Sequence, residues 1–189
     1  MSALEFKVNA ACDRLGLKGP GAAEWLAAHD IAVPAAPNTW AGAGAAAADA
    51  GAADAGAEAI LVARLGAAEF FLEDCVGGSS LREIWPSPEA YPAGVYPVLR
   101  EDAAFVLSGR GSLDVLGQVC NVNFGDLALE SRPVIMTSMM GVSVLVVPQG
   151  SGDLGQYRIW CDPSFGHFLQ ESLGAVVSEC GGNYRGVSA

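Results

Sequence analysis

Leu15-Gly-Leu-Lys-Gly19-Pro-Gly21-Ala-Ala-Glu24-Trp-Leu26 returns ninety positions later as Phe105-Val-Leu-Ser-Gly109-Arg-Gly111-Ser-Leu-Asp114-Val-Leu116. Both copies run through an apolar strand, a Gly-x-Gly turn, an acid and a leucine in the same order. Internal repetition constrains an architecture before any single element is assigned. Each copy predicts a strand that turns through glycine into a short helix. Glu24 and Asp114 fall in the first turn of those helices, where a negative side chain meets the positive end of the helix dipole. Ala22, Trp25, Leu26 and His29 share one helical face, and Leu113, Leu116 and Cys120 share another, so both faces are expected in the core. A second correspondence pairs Leu65-Gly66 and Phe70-Phe-Leu72 with Met140-Gly141 and Leu145-Val-Val147 at an offset of 75. The shortfall of fifteen positions matches the length of a stretch at 41–57, which makes that stretch an insertion in the first copy.

Residues 41–57 are almost entirely Ala, Gly and Asp, and each interior glycine costs a helix about 1 kcal/mol, so they read as a mobile loop. Between 86 and 97, Pro86, Pro88, Pro92 and Pro97 remove backbone donors and hold their neighbours extended, which reads as a linker. The chain therefore divides into a first repeat over 1–85, the linker over 86–97, a second repeat over 98–182 and a tail over 183–189. Strands are predicted at 59–64, 69–73, 103–107, 133–137, 142–147 and 157–161, all rich in β-branched or aromatic residues. The C-terminal helix has Asp162 as N-cap, Pro163 at its first position, an apolar stripe of Phe165, Phe168, Leu169, Leu173 and Val176, and Gly181-Gly182 as terminator. An α+β fold follows, two related α/β repeats with antiparallel or mixed sheets.

The 189 residues suffice for one generous domain or two small ones. Alanine inflates the hydrophobic fraction of 51 %, yet enough large apolar residues remain for a core, so a folded, soluble protein is expected. A formal charge of -11, from 21 acids against 10 scattered bases, repels the phosphate backbone that supplies most nucleic-acid affinity, and repels anionic lipid. Nucleic acid and membrane are not expected partners. The longest strongly apolar run, 142–147, is far shorter than the ~20 residues a membrane span needs. Glu5, Lys7 and Asp13 interrupt the N-terminus, so no export signal is read and the cytoplasm is expected. Cys12, Cys75, Cys120, Cys161 and Cys180 show neither zinc spacing nor a disulfide framework, and buried free thiols are expected.

The Gly-x-Gly turns invite comparison with dinucleotide-binding loops, but Glu24 and Asp114 occupy the place of the third small residue and would repel phosphate, which favours a structural tight turn. His29 and His167 lack a neighbouring ligand at metal spacing, and His29 reads as a packed or edge histidine. Cys161 and His167 flank the Asp162-Pro163 helix start, where a dipole lowers a thiol pKa, but Cys161 closes a strand and reads as a buried, inert thiol. Trp25, Trp40, Trp85 and Trp160 read as core or interface anchors. From 133 to 148 the chain runs PVIMTSMMGVSVLVVP without a charge, so this hairpin offers no carboxylate for acid-base work and belongs to the core or to an apolar contact surface. No catalytic, cofactor-binding or metal-binding residue is assigned.

VLREDAAFVLSGRGSLDVLGQVCNVNFGDL, then RPVIMTSMMGVSVLVV, YRIWCDPSFGHFLQESL and the earlier RLGAAEFFLED resemble the γ subunit of heterotetrameric sarcosine oxidase and the small subunit of N-methylglutamate dehydrogenase. That family is related to the folate-binding domain of the aminomethyltransferase, or glycine-cleavage T-protein, superfamily. The resemblance implies that fold without a folate site, in a non-catalytic structural subunit docked on a large α subunit. Flavin, NAD, folate and zinc would all belong to the partner subunits, which oxidise a secondary N-methyl amine such as sarcosine. Where folate-using T-proteins have a Gly-Asp-rich turn, Met139-Met140-Gly141-Val142-Ser143 has no acid, and the Lys-Gly-Cys-Tyr signature of a related branch is missing. Candidate contact elements are the C-terminal helix and the aromatics near Trp40 and Trp85. The alternatives are a free-standing tetrahydrofolate-binding aminomethyltransferase-like module and a homo-oligomeric small-ligand binding protein.

Overall fold

The computed structural model describes residues 3–9, 12–42, 60–74, 81, 91–150 and 155–186. In chain order these form β1 (Glu5–Val8), β2 (Arg14–Lys18), α1 (Ala22–Ala28), β3 (Thr39–Gly42), β4 (Ile60–Gly66), β5 (Glu69–Asp74) and β6 (Tyr96–Leu99). The second half follows with β7 (Ala103–Ser108), α2 (Ser112–Val119), β8 (Ile135–Met139), β9 (Val142–Gln149), β10 (Gln156–Cys161), α3 (Gly166–Glu179) and β11 (Asn183–Arg185). Short 3-10 turns at Phe124–Asp126, Leu129–Ser131 and Pro163–Phe165 complete the path. The expected α+β class with antiparallel and mixed sheets is what forms.

Two compact units divide the chain, one of residues 11–100 and one that joins residues 1–10 to 101–189. The first holds a five-stranded sheet in the order β3-β4-β5-β2-β6, antiparallel throughout. The second holds a six-stranded sheet, β8-β9-β10-β7-β1-β11, antiparallel except for the parallel pair β1 and β11. In both, the Gly-x-Gly strand pairs on one side with the last strand of a three-stranded meander. On its other side lies a strand taken from elsewhere in the chain. β1, which precedes β2, pairs with β7, and β6, which precedes β7, pairs with β2. The repeats have exchanged their leading strands.

This exchange corrects the expected boundaries. Residues 1–10 belong with the second repeat, because Phe6 is fully buried there and stacks on Phe105 and Tyr184 with ring centroids 5.6 Å apart in each case. The stretch read as a linker ends inside a strand, since Tyr96 and Pro97 pair with Lys18 and Leu17. Pro97 is tolerated because β6 is an edge strand with one side free of ladder bonds. The supposed tail contains β11. Each of these strands is short, and none carries the alternating pattern by which longer strands are read.

The second register is also corrected. Leu72 pairs with Leu15 and Ile159 with Phe105, so the equivalent residues stand 87 positions apart, from Leu72 to Ile159, and β5 corresponds to β10. The offset of 75 aligned β5 with β9, because both follow a glycine turn with an apolar run. The length argument for an insertion at 41–57 falls with it. Ala41 and Gly42 end β3, and 43–57 lie outside the described residues.

Each unit has its own core. In the first, Leu15, Leu17, Phe70 and Leu72 project from the sheet against Trp25 and Leu26 of α1. In the second, Phe105, Leu107, Val144, Val146 and Ile159 meet Leu116 of α2 and Leu169, Leu173 and Val177 of α3. Burial of such side chains contributes about 1.5–3 kcal/mol each. The helix termini follow their sequence signals. Asp162 accepts from the Ser164 N–H at 2.9 Å and begins a 3-10 turn that runs into α3. At the other end Gly181 takes φ +77, while its N–H reaches the Ser178 carbonyl and that of Gly182 reaches Val177.

Candidate functional site

The Gly-x-Gly turns are the first place to look for a bound group, and in both the chain's own backbone fills the space. Gly19 has φ +112, and the Gly94 carbonyl lies where a Cβ would project; the Gly21 N–H donates to that same oxygen at 3.1 Å. Gly109 has φ +91 and meets the Ala3 carbonyl in the same way. Gly94 leads into β6 and Ala3 into β1, so the exchanged strand closes the turn in each unit. Glycine is needed here for backbone-to-backbone contact and a left-handed φ, not for pyrophosphate. Ser112 reinforces the second turn, its hydroxyl donating to the Gly109 carbonyl at 2.7 Å.

The histidines and thiols fall apart as a constellation. Cys161 is buried, and burial, with the carboxylates of Asp102 and Asp162 beside it, pushes its thiol up to about 11. His167 is exposed in the first turn of α3. A thiol so hard to ionise is no nucleophile at neutral pH. His29, expected on the core face of α1, is exposed instead; its Nδ1–H donates to the Trp25 carbonyl at 2.8 Å and its ring rests 4.1 Å from the Trp25 ring. Cys120 is buried and Cys12 half-buried, but Cys180 is exposed, contrary to the expectation for all the thiols, because it caps α3 where the chain turns away. Cys75 and Trp85 lie outside the described residues. Among the described residues no three His, Cys, Asp or Glu side chains gather as metal ligands.

What remains is surface. The stripe predicted for α3 splits: Leu169 and Leu173 are buried, Val176 is half-buried, and Phe165 and Phe168 are each 51 % exposed. Phe165 closes the 3-10 turn that leads into α3, and Phe168 lies in the first turn of α3 itself. Trp40 is no contact aromatic, being buried at the middle of β3, and Trp25 and Trp160 are buried as well. The charge-free segment is the hairpin of β8 and β9, closed by Met140 and Gly141 at φ +52 and +84, the backbone of a two-residue primed turn. Val142, Val144 and Val146 face the core, and Met136 is largely exposed on the opposite side.

A cleft missed by sequence reading opens along α2. It has a volume of about 320 Å³ and is lined by Leu113, Gly117, Val122 and Phe124 together with the polar Asn121 and Asn123. Leu113, expected on the core face, is 38 % exposed. Asn123 and Asp126 bond to one another at 2.6 Å and hold the 3-10 turn that forms the far wall. No local pattern marks the cleft, since its walls come from a helix and the turn that folds back on it.

No protein-family model matches this chain, and no curated protein does. Among the described residues no helix is long and apolar enough to cross a membrane. Solved structures do match. Aminomethyltransferase T of the glycine cleavage system from Bartonella henselae is similar at a TM-score of 0.65 and 13 % identity, over 97 % of this chain and 48 % of that one. This chain thus spans about half the length of that relative. A chain of the heterotetrameric sarcosine oxidase from Corynebacterium sp. U-96 is similar at a TM-score of 0.65 and 23 % identity, over 93 % of this chain and 84 % of that one. The fold of this chain is therefore similar to that of aminomethyltransferase T and of a sarcosine oxidase chain.

Proposed function

We propose that this chain is a non-catalytic structural subunit, of the γ type, in a multi-subunit flavin-dependent oxidoreductase acting on a secondary N-methyl amine such as sarcosine or N-methylglutamate. The observation that carries the reading is the end-to-end likeness to a chain of heterotetrameric sarcosine oxidase, whose mutual coverage makes the two chains similar in length. The exposed Phe165 and Phe168 support it, because half-exposed aromatics at the start of a packed helix are typical anchors of a protein interface. The partner is a large α-type subunit in a heterotetramer, and flavin, NAD, folate and zinc belong to the partner chains.

Tetrahydrofolate suits the β8–β9 hairpin poorly. The adjacent N–H donors of an aminopteridine pair well with a carboxylate, and the only polar side chains along the β8–β9 hairpin up to Pro148 are the hydroxyls of Thr137, Ser138 and Ser143. The test is native mass spectrometry of the tagged protein purified from its own host, with a visible spectrum of the same sample. A yellow assembly several times heavier than 19.3 kDa is expected. A colourless monomer or homodimer removes the reading, and saturable tetrahydrofolate binding by the isolated chain puts an aminomethyltransferase-like module in its place.

A further inference from the structure

We propose that the cleft along α2 receives an apolar side chain carried on a basic segment of a different polypeptide. The proposal rests on the subunit reading above and names the surface and the chemistry of the partner. Gly117 is the residue from which it starts. It lies in the body of α2, its φ is not in the left-handed region, and a Cβ placed on it would meet nothing within 4 Å. Alanine is the better helix former at such a position. Nothing inside the fold therefore calls for glycine. What its missing side chain does is hold the cleft open between Leu113, one turn earlier on the same face, and Val122 and Phe124 across it.

The cleft's volume of about 320 Å³ is at the small end for a ligand pocket and ample for one aromatic or branched side chain. Leu113, Val122 and Phe124 give such an anchor apolar contacts, and Asn121 and Asn123 beside them can bond the polar groups next to it. Charge selects the chain that carries it. Between Arg110 and Arg132 there is no Lys or Arg, while Asp114 follows the lining residue Leu113 in sequence, Asp126 follows Gly125 and is bonded to Asn123, and the whole chain carries -11. A second copy would bring acids against acids across a self-complementary contact, whereas a segment with Lys or Arg beside its anchor meets opposite charge.

The test compares the full-length tagged wild type with Gly117→Ala and Gly117→Leu, each purified from the native host for native mass spectrometry, with the melting temperature of each chain isolated. Gly117→Ala is expected to raise the melting temperature by about 2–4 °C. Gly117→Leu, which fills the cleft, is expected to fold and to lower the share of chain found in the hetero-assembly at least tenfold. Gly117→Leu that assembles like the wild type overturns this inference and leaves the subunit reading standing. A fall in melting temperature for Gly117→Ala overturns it too, by giving the glycine an internal purpose. A small molecule held by the wild type and lost from Gly117→Leu replaces the side chain with a ligand and overturns it. A wild type that emerges alone or as a homodimer overturns both proposals.

Discussion

Arg14 and Glu73 face each other across β2 and β5, and the guanidinium Nε donates to the carboxylate Oε2 at 2.7 Å with the Glu73 side chain wholly removed from solvent. Desolvating two charges is costly, and their attraction offsets that cost only while both are present. Glu73→Ala removes the carboxylate from this buried pair and is expected to destabilise the protein by up to about 3–5 kcal/mol, read as a shift of the urea midpoint. Replacing both by apolar residues, Arg14→Met with Glu73→Leu, is expected to restore most of the loss. A double variant as unstable as the single one would mean that the pair does more than neutralise itself.

Gly109 and Gly141 share a left-handed backbone but not its surroundings. A Cβ on Gly109 runs into the Ala3 carbonyl, whereas one on Gly141 meets nothing within 4 Å. Gly141→Ala should therefore cost only the strain of the left-handed conformation, of order 1 kcal/mol, and Gly109→Ala clearly more because β1 must also shift. Thermal melting of the two variants checks the ranking; equal losses would show that the exchanged strand does not lean on that turn.

Cys161 sets a pH dependence of known sign. Burial first, and Asp102 and Asp162 second, hold its pKa up at about 11 against an ordinary 9.0, so the folded protein keeps a proton that the unfolded chain releases. Its contribution is whole below pH 9.0 and is lost as the pH climbs toward 11. Cys161→Ala is expected to flatten the stability profile on the alkaline side alone. In a thiol-reagent assay at pH 8, the exposed Cys180 should react well before Cys161, and Cys161 only on unfolding; prompt modification of Cys161 would contradict its burial.

Phe165 and Phe168 give the subunit reading a surface test. Both are half-exposed, so Phe165→Ser with Phe168→Ser is expected to move the stability of the isolated chain by under about 1 kcal/mol, while the share of chain in the assembly falls at least tenfold. Native mass spectrometry measures the second and thermal melting the first. Full assembly by the double variant would free this face of α3 from any role in docking.

The repeat was legible because strand, turn and helix are local: Leu15 to Leu26 and Phe105 to Leu116 state it within twelve residues each. The caps of α3 were legible for the same reason, since Asp162, Pro163 and Gly181 act on backbone groups within a turn of themselves. The exposure of Phe165 was not. Periodicity places Phe165, Phe168, Leu169 and Leu173 along one broad apolar sector, and only the sheet's position decides which part of it the core takes. The cleft at Gly117 was equally hidden, because one wall is a helix and the other a turn whose approach no spacing records.

Composition and local pattern by themselves determined the class, the duplication, the absence of charge from 133 to 148 and the negative balance that disfavours phosphate partners. Tertiary structure alone decided that β1 joins β7 and β6 joins β2, which redraws both units and corrects the second register. The physical reason is that a four-residue strand holds too few side chains to specify its partner. Its place is chosen by long-range backbone pairing and by the fit of residues such as Phe6 between Phe105 and Tyr184, 99 (105 minus 6) and 178 (184 minus 6) positions away along the chain.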